Sequence, residues 1–390
     1  MNLCNKSLII GLIAFSVSPL TSHANNALAQ NQSISHNVDR IKLIDTKTIP
    51  YNQTYKETTI GGLSGITYNP QNNKWLAISD DRSEQNPARF YEAKLNYNND
   101  TFNNVKFTKV HTLKQPDGST YPNKAQYKEK QTGHVVDAES IRIDPLHNQI
   151  MYTSEGDRSL GLNPFIRLAT TNGNYLSDIP INNTIKMDHH SKKGFRNNLA
   201  LEGITFSNNG QTLWTSMEGP LIQDDTLPTP ESGALSRITQ YDRQGNTLSE
   251  FAYPLDAVPE KPGKGRPADN GISEMLAIND HEFLTLERAS VQTDDGSYKN
   301  FVRIYKINTN KGTDIKNKTS LKHANVKPLK KELIANLNHH DIEKVDNIEG
   351  MTFGKKLPNG NDSLVLVVDN NFNKTQKTEL LAFEVIPEKN

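Results

Sequence analysis

Acidic residues recur at two matching positions of a repeated pattern in this chain. The first position precedes a short apolar run and is occupied by Glu139, Glu202 and Glu349, with Ser64 and Ser273 at the equivalent places. The second position follows the next apolar run and includes Asp80, Asp81, Glu155, Glu218, Glu287 and Asp369. Crowded carboxylates repel one another unless a cation neutralises them. Calcium suits such a site because it accepts six to eight oxygen ligands in flexible geometry, whereas magnesium demands an octahedron. We therefore predict calcium as the cofactor.

Arginines follow acidic residues at the second position of three repeats: Arg82 follows Asp81, Arg158 follows Asp157 and Arg288 follows Glu287. A guanidinium group matches phosphate through two parallel hydrogen bonds. Carboxylates and arginines on one surface could therefore hold metal ions together with a small anionic ester. The alternative is structural, since acidic residues at hairpin ends also accept backbone N–H bonds or pair with the following arginine.

These residues must be positioned by a repeat, because five segments share one pattern, beginning at Gly61, Asp137, Ala200, Gly271 and Asn347. Aligned on Gly65, Ser140, Gly203, Glu274 and Gly350, the segments recur at intervals of 75, 63, 71 and 76 residues. Each segment is typical of a β-hairpin: a short strand, a turn rich in Asn, Pro, Gly and Asp, and an apolar strand. Further alternating stretches supply outer strands.

Four strands per repeat predict an all-β β-propeller of about six blades, with five to seven possible. A β-sandwich or β-helix is the alternative fold. The start of the first strand and the end of the second lie side by side in an antiparallel hairpin. Both acidic positions should therefore ring the channel on one face of the propeller.

The N-terminus has the features of an export signal, with Lys6 before an apolar run and small residues around Ala24. We predict a signal peptide at 1–24, a flexible leader at 25–40 and the propeller domain at 41–390. Cys4 is the chain's one cysteine and lies in the signal, so thiol chemistry is excluded from the mature protein. We expect an exported protein, periplasmic or secreted, that is monomeric and not membrane-bound.

Charge and motifs exclude several function classes. The 44 basic and 44 acidic residues balance, which disfavours nucleic acid as a partner. The sequence shows no P-loop, dinucleotide fingerprint or H-E-x-x-H zinc motif. The G-G-L-S-G run at Gly61 lacks the strand–turn–helix context of a serine nucleophile.

The runs E-S-I and E-G-I-T-F, followed by S-E-G-D-R and S-M-E-G, resemble the phytase-like family of exported proteins with esterase-like activity. The resemblance extends from about Leu43 to Phe383. It implies a propeller that hydrolyses small phosphoesters with calcium bound at recurring Glu and Asp residues. Catalytic roles then fall to Glu139, Glu202, Glu349, Arg158 and Arg288, and metal ligation to Asp80, Asp81, Glu155, Glu218, Glu287 and Asp369.

Two other functions fit the same pattern. A propeller with a polar channel mouth could act only as a periplasmic binding or assembly module, because the fold alone does not define function. A calcium-dependent lactonase-type hydrolase would use similar carboxylates without phosphate. Preference for phosphoesters over lactones, and turnover itself, distinguish these alternatives.

Overall fold

Five four-stranded antiparallel sheets make up the chain in a computed structural model that describes residues 35–188, 191–207 and 209–389. The predicted signal peptide and residues 25–34 of the predicted leader lie outside the described residues. Residues 36–39 pack where blades 4 and 5 meet: the His36 N–H donates to Ile278 O, the His36 ring stacks on Phe353, and Lys306 Nζ donates to the carbonyl of the buried Val38. No described helix is long and apolar enough to cross a membrane.

Each sheet is one propeller blade, and its strands run from the central channel outwards. Blades 1 to 3 comprise Leu63–Asn69, Lys74–Ser79, Arg89–Tyr97 and Phe102–Thr112; Ala138–Ile143, Gln149–Ser154, Phe165–Thr170 and Tyr175–Ile179; and Leu201–Phe206, Thr212–Met217, Ala234–Asp242 and Thr247–Leu255. Blades 4 and 5 comprise Ala268–Ala277, Glu282–Gln292, Tyr298–Asn308 and Lys331–Asn336; and Ile348–Phe353, Ser363–Val368, Thr378–Ile386 and Arg40–Ile49.

The remaining elements are short and lie in loops. They are a two-stranded ribbon of Thr54–Tyr55 and Thr58–Thr59, one α-helix at Lys124–Lys130, and 3₁₀ turns at Arg158–Leu160, Thr309–Lys311 and Leu337–His339. The predicted propeller is thus confirmed with five blades. The spacing near 70 residues reflects long loops between blades rather than an additional blade among the described residues.

The ring closes through the N-terminal strand. Arg40–Ile49 pairs antiparallel with Thr378–Ile386 and forms the outermost strand of blade 5. Five clusters of buried apolar side chains fill the five interfaces between neighbouring blades, one cluster to each interface. Because every blade buries both faces against its neighbours, the hydrophobic effect stabilises the closed ring as a whole.

Inner strands of neighbouring blades approach closely around the axis. A Cβ atom on Gly65 would lie 2.7 Å from Glu139 O in blade 2, and one on Gly350 would lie 2.8 Å from Ser64 O in blade 1. Both glycines are therefore required for close packing rather than for a turn. The channel is narrow enough that side chains from different blades meet across it.

A β-bulge interrupts the inner strand of every blade at the same place. Pairing with the second strand shifts register between Leu63 and Gly65, Ala138 and Ile141, Leu201 and Ile204, Ile272 and Glu274, and Ile348 and Gly350. A bulge places an extra residue opposite one partner and re-aims its side chain. The repeated first position, which carries Glu139, Glu202 and Glu349, falls within this bulge.

Candidate functional site

The second position of the repeat directly follows the residue that pairs with the start of the inner strand. Leu63 pairs with Ser79, Ala138 with Ser154, Leu201 with Met217, and Ile348 with Val368. The next residues in those blades are Asp80, Glu155, Glu218 and Asp369. The bulge position and this second position therefore converge on one end of the channel, as the sequence pattern predicts.

Blade 4 contributes an arginine at the second position instead of a carboxylate. Its inner strand pairs Ile272 with Glu287, so Arg288 is the equivalent of Asp80 and Glu155. Successive side chains of a strand point to opposite faces. Glu287 consequently points away from the channel, while Arg288 points into it.

Eight carboxylates meet at the channel mouth, and we call them the acidic cluster: Asp80, Asp137, Glu139, Glu155, Glu202, Glu218, Glu349 and Asp369. Two overlapping sets within it have carboxylate oxygens within 4.8 Å of one another, namely Asp137, Glu139 and Glu155, and Glu155, Glu202 and Glu218. Glu155 belongs to both sets. It also accepts a 2.5 Å hydrogen bond from the backbone N–H of Ala200, which fixes its orientation.

The other side of the mouth combines carboxylates with an amide. Asn347 Nδ2 donates to Glu349 Oε1 at 2.9 Å and to Asp369 Oδ2 at 3.1 Å. Glu349 and Asp369 are the two repeat positions of blade 5, so the amide holds both acidic positions of that blade together.

Two arginines pair with the acidic cluster. Arg82 forms an ion pair with Asp137, and Arg288 Nη2 lies 3.2 Å from Glu218 Oε1 and 3.5 Å from Glu349 Oε1. The cluster's negative charges raise the pKa of both guanidinium groups, which therefore remain charged. Eight carboxylates and two guanidinium groups leave six formal negative charges when all are ionised.

Burial, followed by mutual repulsion, raises the pKa of the carboxyl groups in the cluster. The pKa of Glu155 rises to about 8, with repulsion from Asp137 as the second cause, and the pKa of Glu349 rises to about 8 beside Asp369. The pKa of Asp369 rises to about 6. For Asp80, Glu139 and Glu202 the pKa is raised well above the ordinary value. Without a cation, several members therefore hold protons at neutral pH.

Several of these carboxylates have few hydrogen-bond donors. No N–H or hydroxyl group of the described residues donates to the carboxylates of Asp80, Glu139 or Glu202. The buried Oδ1 atom of Asp137 likewise has no donor while Glu139 is ionised. Buried polar groups of folded proteins are almost always paired, and an unpaired one needs an explanation. The structural alternative thus accounts for Glu155 through Ala200, whereas, among the described residues, Glu139 and Glu202 share side-chain hydrogen bonds only with the carboxyl groups of Asp137 and Glu155.

An arginine from blade 2 closes the channel beneath the cluster. Arg142 lies three residues beyond Glu139, or about 10 Å along the strand. Its guanidinium donates to Ile66 O at 2.9 Å, Met275 O at 3.1 Å and Met351 O at 3.2 Å, which belong to blades 1, 4 and 5. It also pairs with Glu274 Oε2 at 2.9 Å. The acidic cluster therefore lines a pocket with one open end.

Three predicted site residues are not brought into the cluster. Asp81 accepts backbone N–H bonds from residues 84–86 and pairs with Arg89 at 2.7 Å, so it organises the loop after the second strand. Glu287 accepts hydrogen bonds from Tyr253 and Asn270 and pairs with Lys331. Arg158 donates to Lys193 O and Phe195 O in a neighbouring loop. The other eight predicted residues line the channel mouth.

Asp137 is a cluster member that was not predicted, although the sequence carries a signal for it. Asp137 stands two residues before Glu139, as Asn347 stands two residues before Glu349. Both side chains contact the cluster, and Gly62, Ala200 and Gly271 occupy the equivalent places in the other repeats. A third functional position per repeat could thus have been recognised from the polar residues of blades 2 and 5.

The raised pKa values predict how pH changes the stability of the metal-free protein. A carboxyl group with a raised folded-state pKa binds more protons in the native state, so its contribution is present at low pH and lost as pH rises. The pKa values of Glu155 and Glu349 are about 8 in the folded protein and 4.5 in the unfolded chain. The pKa of Asp369 is about 6 in the folded protein and 3.8 in the unfolded chain. We expect the melting temperature of the chelated protein to fall from pH 5 to pH 9. A melting temperature that rises over this range would contradict the buried, repelling cluster.

The donor set fits calcium. Calcium–oxygen distances of about 2.3–2.6 Å allow two ligands of one ion to lie up to about 5 Å apart. Each set of three carboxylates meets this limit, since its oxygens lie within 4.8 Å of one another. The unpaired Oδ1 of Asp137 is an oxygen that such an ion would satisfy.

The fold and the site together define a five-bladed β-propeller with a carboxylate-lined pocket, open at one end, on its axis. The family model described as Phytase-like, esterase-like activity of phytase, matches residues 58–372. The chain belongs to this family, and the resemblance seen in its repeats is confirmed. A search of curated proteins found no match.

Several solved structures are similar to the chain at low identity. The catalytic domain of a Coprinopsis cinerea GH62 α-L-arabinofuranosidase is 8% identical, with a TM-score of 0.41 over 90% of this chain and 98% of that one. A thermostable family-43 glycoside hydrolase is 8% identical, with a TM-score of 0.39 over 86% and 93%. A putative oxidoreductase (glucose dehydrogenase) from Thermus thermophilus is 11% identical, with a TM-score of 0.33 over 89% and 98%.

Proposed function

We propose that the protein is a calcium-dependent hydrolase of small phosphoesters and that the acidic cluster is its active site. The observation that carries the proposal is the pair of buried carboxylate sets sharing Glu155, in which Glu139 and Glu202 have no N–H or hydroxyl donor among the described residues. Such a site is costly for the fold unless cations occupy it. Membership of the phytase-like family favours hydrolysis of an ester.

The two carboxylate sets would hold calcium, with Glu155 shared between them. Calcium, when bound, supplies positive charge that polarises a phosphoryl oxygen. Positive charge is also needed for binding, because the ionised carboxylates of the acidic cluster would repel an anionic ester. Export and a monomeric state remain proposals from the sequence.

Two arginines and Glu349 would supply fixed positive charge and a proton for the leaving oxygen. Arg288 lies between Glu218 and Glu349, and Arg82 is partly exposed at the rim of the mouth. Each presents fixed positive charge where a phosphoryl group would enter. Glu349 belongs to neither carboxylate set and lies 3.5 Å from Arg288 Nη2 at the mouth. We assign Glu349 to proton transfer to the leaving oxygen, because it is a carboxyl group beside the place where the phosphoryl group would enter and is not one of the proposed calcium ligands.

The experiment combines stability with turnover. The mature protein is melted in EDTA and then in excess calcium, and hydrolysis of a phosphomonoester, a phosphodiester and a lactone is measured under both conditions. We expect calcium at about 1,000 times its Kd to add roughly 4 kcal/mol to the free energy of unfolding. We also expect calcium-dependent turnover of a phosphoester.

The other outcomes separate the alternative functions. Calcium-dependent stability with turnover only of the lactone would replace the phosphoesterase with a lactonase-type enzyme. Stability that depends on calcium without any turnover would favour a binding module. No response to calcium in either measurement would overturn the proposed metal site.

A further inference from the structure

An aromatic lip lies beside the acidic cluster where blades 5 and 1 meet, and we define it as Gly61, Gly62 and Asn370–Phe372. Asn370 Oδ1 accepts hydrogen bonds from the backbone N–H groups of Gly62 at 3.0 Å and Phe372 at 3.1 Å. Tyr51 Oη donates to Phe372 O at 3.1 Å. These bonds join two loops from different blades into one rim.

The lip holds Phe372 in an unusual backbone conformation. Asn371 and Phe372 have φ values of 47° and 51°, a left-handed conformation that is uncommon for residues other than glycine and especially for bulky ones. Strained residues persist only where the surroundings determine them, and they cluster at functional sites. The hydrogen bonds that Phe372 makes with Asn370 and Tyr51 hold it in this conformation.

Gly62 brings the Phe372 ring next to the acidic cluster. It has a φ of 60°, and a Cβ atom on it would lie 2.2 Å from Asp80 Oδ1 and 2.6 Å from Phe372 Cε2. The ring and the Asp80 carboxylate therefore both contact the same small patch of backbone. Asp80 is a member of the cluster without an N–H or hydroxyl donor among the described residues.

The Phe372 ring does not belong to the core. It is only partly buried, whereas the apolar side chains of the blade interfaces are buried. One side of the ring packs on Gly61 and Gly62, and the Arg89 guanidinium lies 6.0 Å from the ring centre. The strained loop thus displays an aromatic surface at the mouth of the pocket instead of burying it. Tyr51, next to it, is 45% exposed.

We propose that the aromatic lip binds the organic group of the substrate, and that the substrate class is phosphate esters of planar or apolar alcohols. This inference rests on the proposed phosphoester hydrolase. A phosphoryl group held at the acidic cluster would place its ester substituent at the rim, where Phe372 offers an apolar face. Burial of aromatic surface would then favour an aryl substituent over a methyl group.

Binding of two non-hydrolysable probes tests the lip without requiring turnover. Phenylphosphonate and methylphosphonate are titrated calorimetrically into the calcium-loaded protein. We expect the wild type to bind phenylphosphonate about tenfold more tightly, as expected for partial burial of a phenyl ring. Phe372→Ala should reduce this ratio to about one with affinity for methylphosphonate unchanged, and Phe372→Tyr should restore it.

Controls distinguish failure of the lip from failure of the proposed function. Tyr298→Ala removes another exposed aromatic ring, in blade 4, and should leave the ratio unchanged. A ratio near one in the wild type, or one that Phe372→Ala does not change, overturns the lip as a subsite while leaving the phosphate site intact. If neither phosphonate binds, the proposed function itself fails, and the inference fails with it.

Discussion

Replacement of Glu155 by glutamine is expected to abolish the calcium response and to lower phosphoester turnover by at least about 100-fold, while the protein still folds. Glu155 is the residue common to both carboxylate sets, so one substitution removes a ligand from each. The neutral amide offers one oxygen and no charge, which weakens binding of a hard cation. Melting with and without calcium, together with turnover in calcium, measures both effects.

The same substitution separates a functional role from a structural one. If Glu155 served only to accept the Ala200 N–H bond, Glu155→Gln would change little, because the amide oxygen of glutamine can still accept that bond. In EDTA we expect the variant to be at least as stable as the wild type, since one of several mutually repelling carboxylates has been removed. Unchanged turnover and an unchanged calcium response would contradict the proposed site.

Glu287→Gln is the matched control for this experiment. Glu287 is also a buried glutamate of a second strand, but its partners are Lys331 and Asn270 of blade 4 and Tyr253 of blade 3. We expect this variant to lose stability equally in EDTA and in calcium, because an ion pair is broken away from the cluster. A loss of the calcium response would instead show that Glu287 contributes to the metal site.

The fold was predictable from the repeats in the sequence. Five copies of one hairpin pattern, spaced evenly, leave few architectures other than a ring of blades. The convergence of Glu139, Glu202 and Glu349 with Asp80, Glu155, Glu218 and Asp369 followed from the geometry of an antiparallel hairpin alone. Blade number was less accessible, because loop length and an additional degenerate blade give the same spacing.

The error in blade 4 shows what the pattern could not determine. A shift of one residue in register moves every side chain of a strand to the other face. The adjacent Glu287 and Arg288 look equally suited to the second position, and the pairing of Ile272 with Glu287 is what selects Arg288. The positive charge of Arg288 at the channel mouth therefore depends on the strand register in blade 4, which the pattern of acidic residues does not determine.

The floor of the pocket also escaped prediction, because it depends on contacts between distant blades. Glu274 occupies the position that is glycine in Gly65, Gly203 and Gly350. Its carboxylate accepts a hydrogen bond from Ser140 and pairs with Arg142, 132 residues earlier in the chain. Neither residue stands out in its own repeat, and only closure of the ring brings them together.

Replacement of Arg142 by methionine is expected to lower the free energy of unfolding by about 3–5 kcal/mol. The substitution leaves Glu274 buried without a counter-charge and leaves the carbonyls of Ile66, Met275 and Met351 without their side-chain donor. Urea unfolding followed by fluorescence of the buried Trp75 and Trp214 measures the change. A loss below about 1 kcal/mol would show that water replaces the guanidinium and that Arg142 does not close the channel.

The deficit of Arg142→Met should also grow with pH. Burial raises the pKa of Glu274 to about 7 even with Arg142 beside it, and removing the guanidinium raises that pKa further. A carboxyl group whose pKa is raised in the folded state contributes stability at low pH that is lost as pH rises. The free energy of unfolding of the variant should therefore be closest to that of the wild type at pH 5 and furthest from it at pH 9. Adding Glu274→Gln removes the buried charge, and the double variant should recover much of the loss at pH 9 but little at pH 5. A deficit independent of pH and of Glu274 would mean that Arg142 acts through packing and carbonyl contacts alone, and that the ion pair at the floor of the pocket contributes nothing to stability.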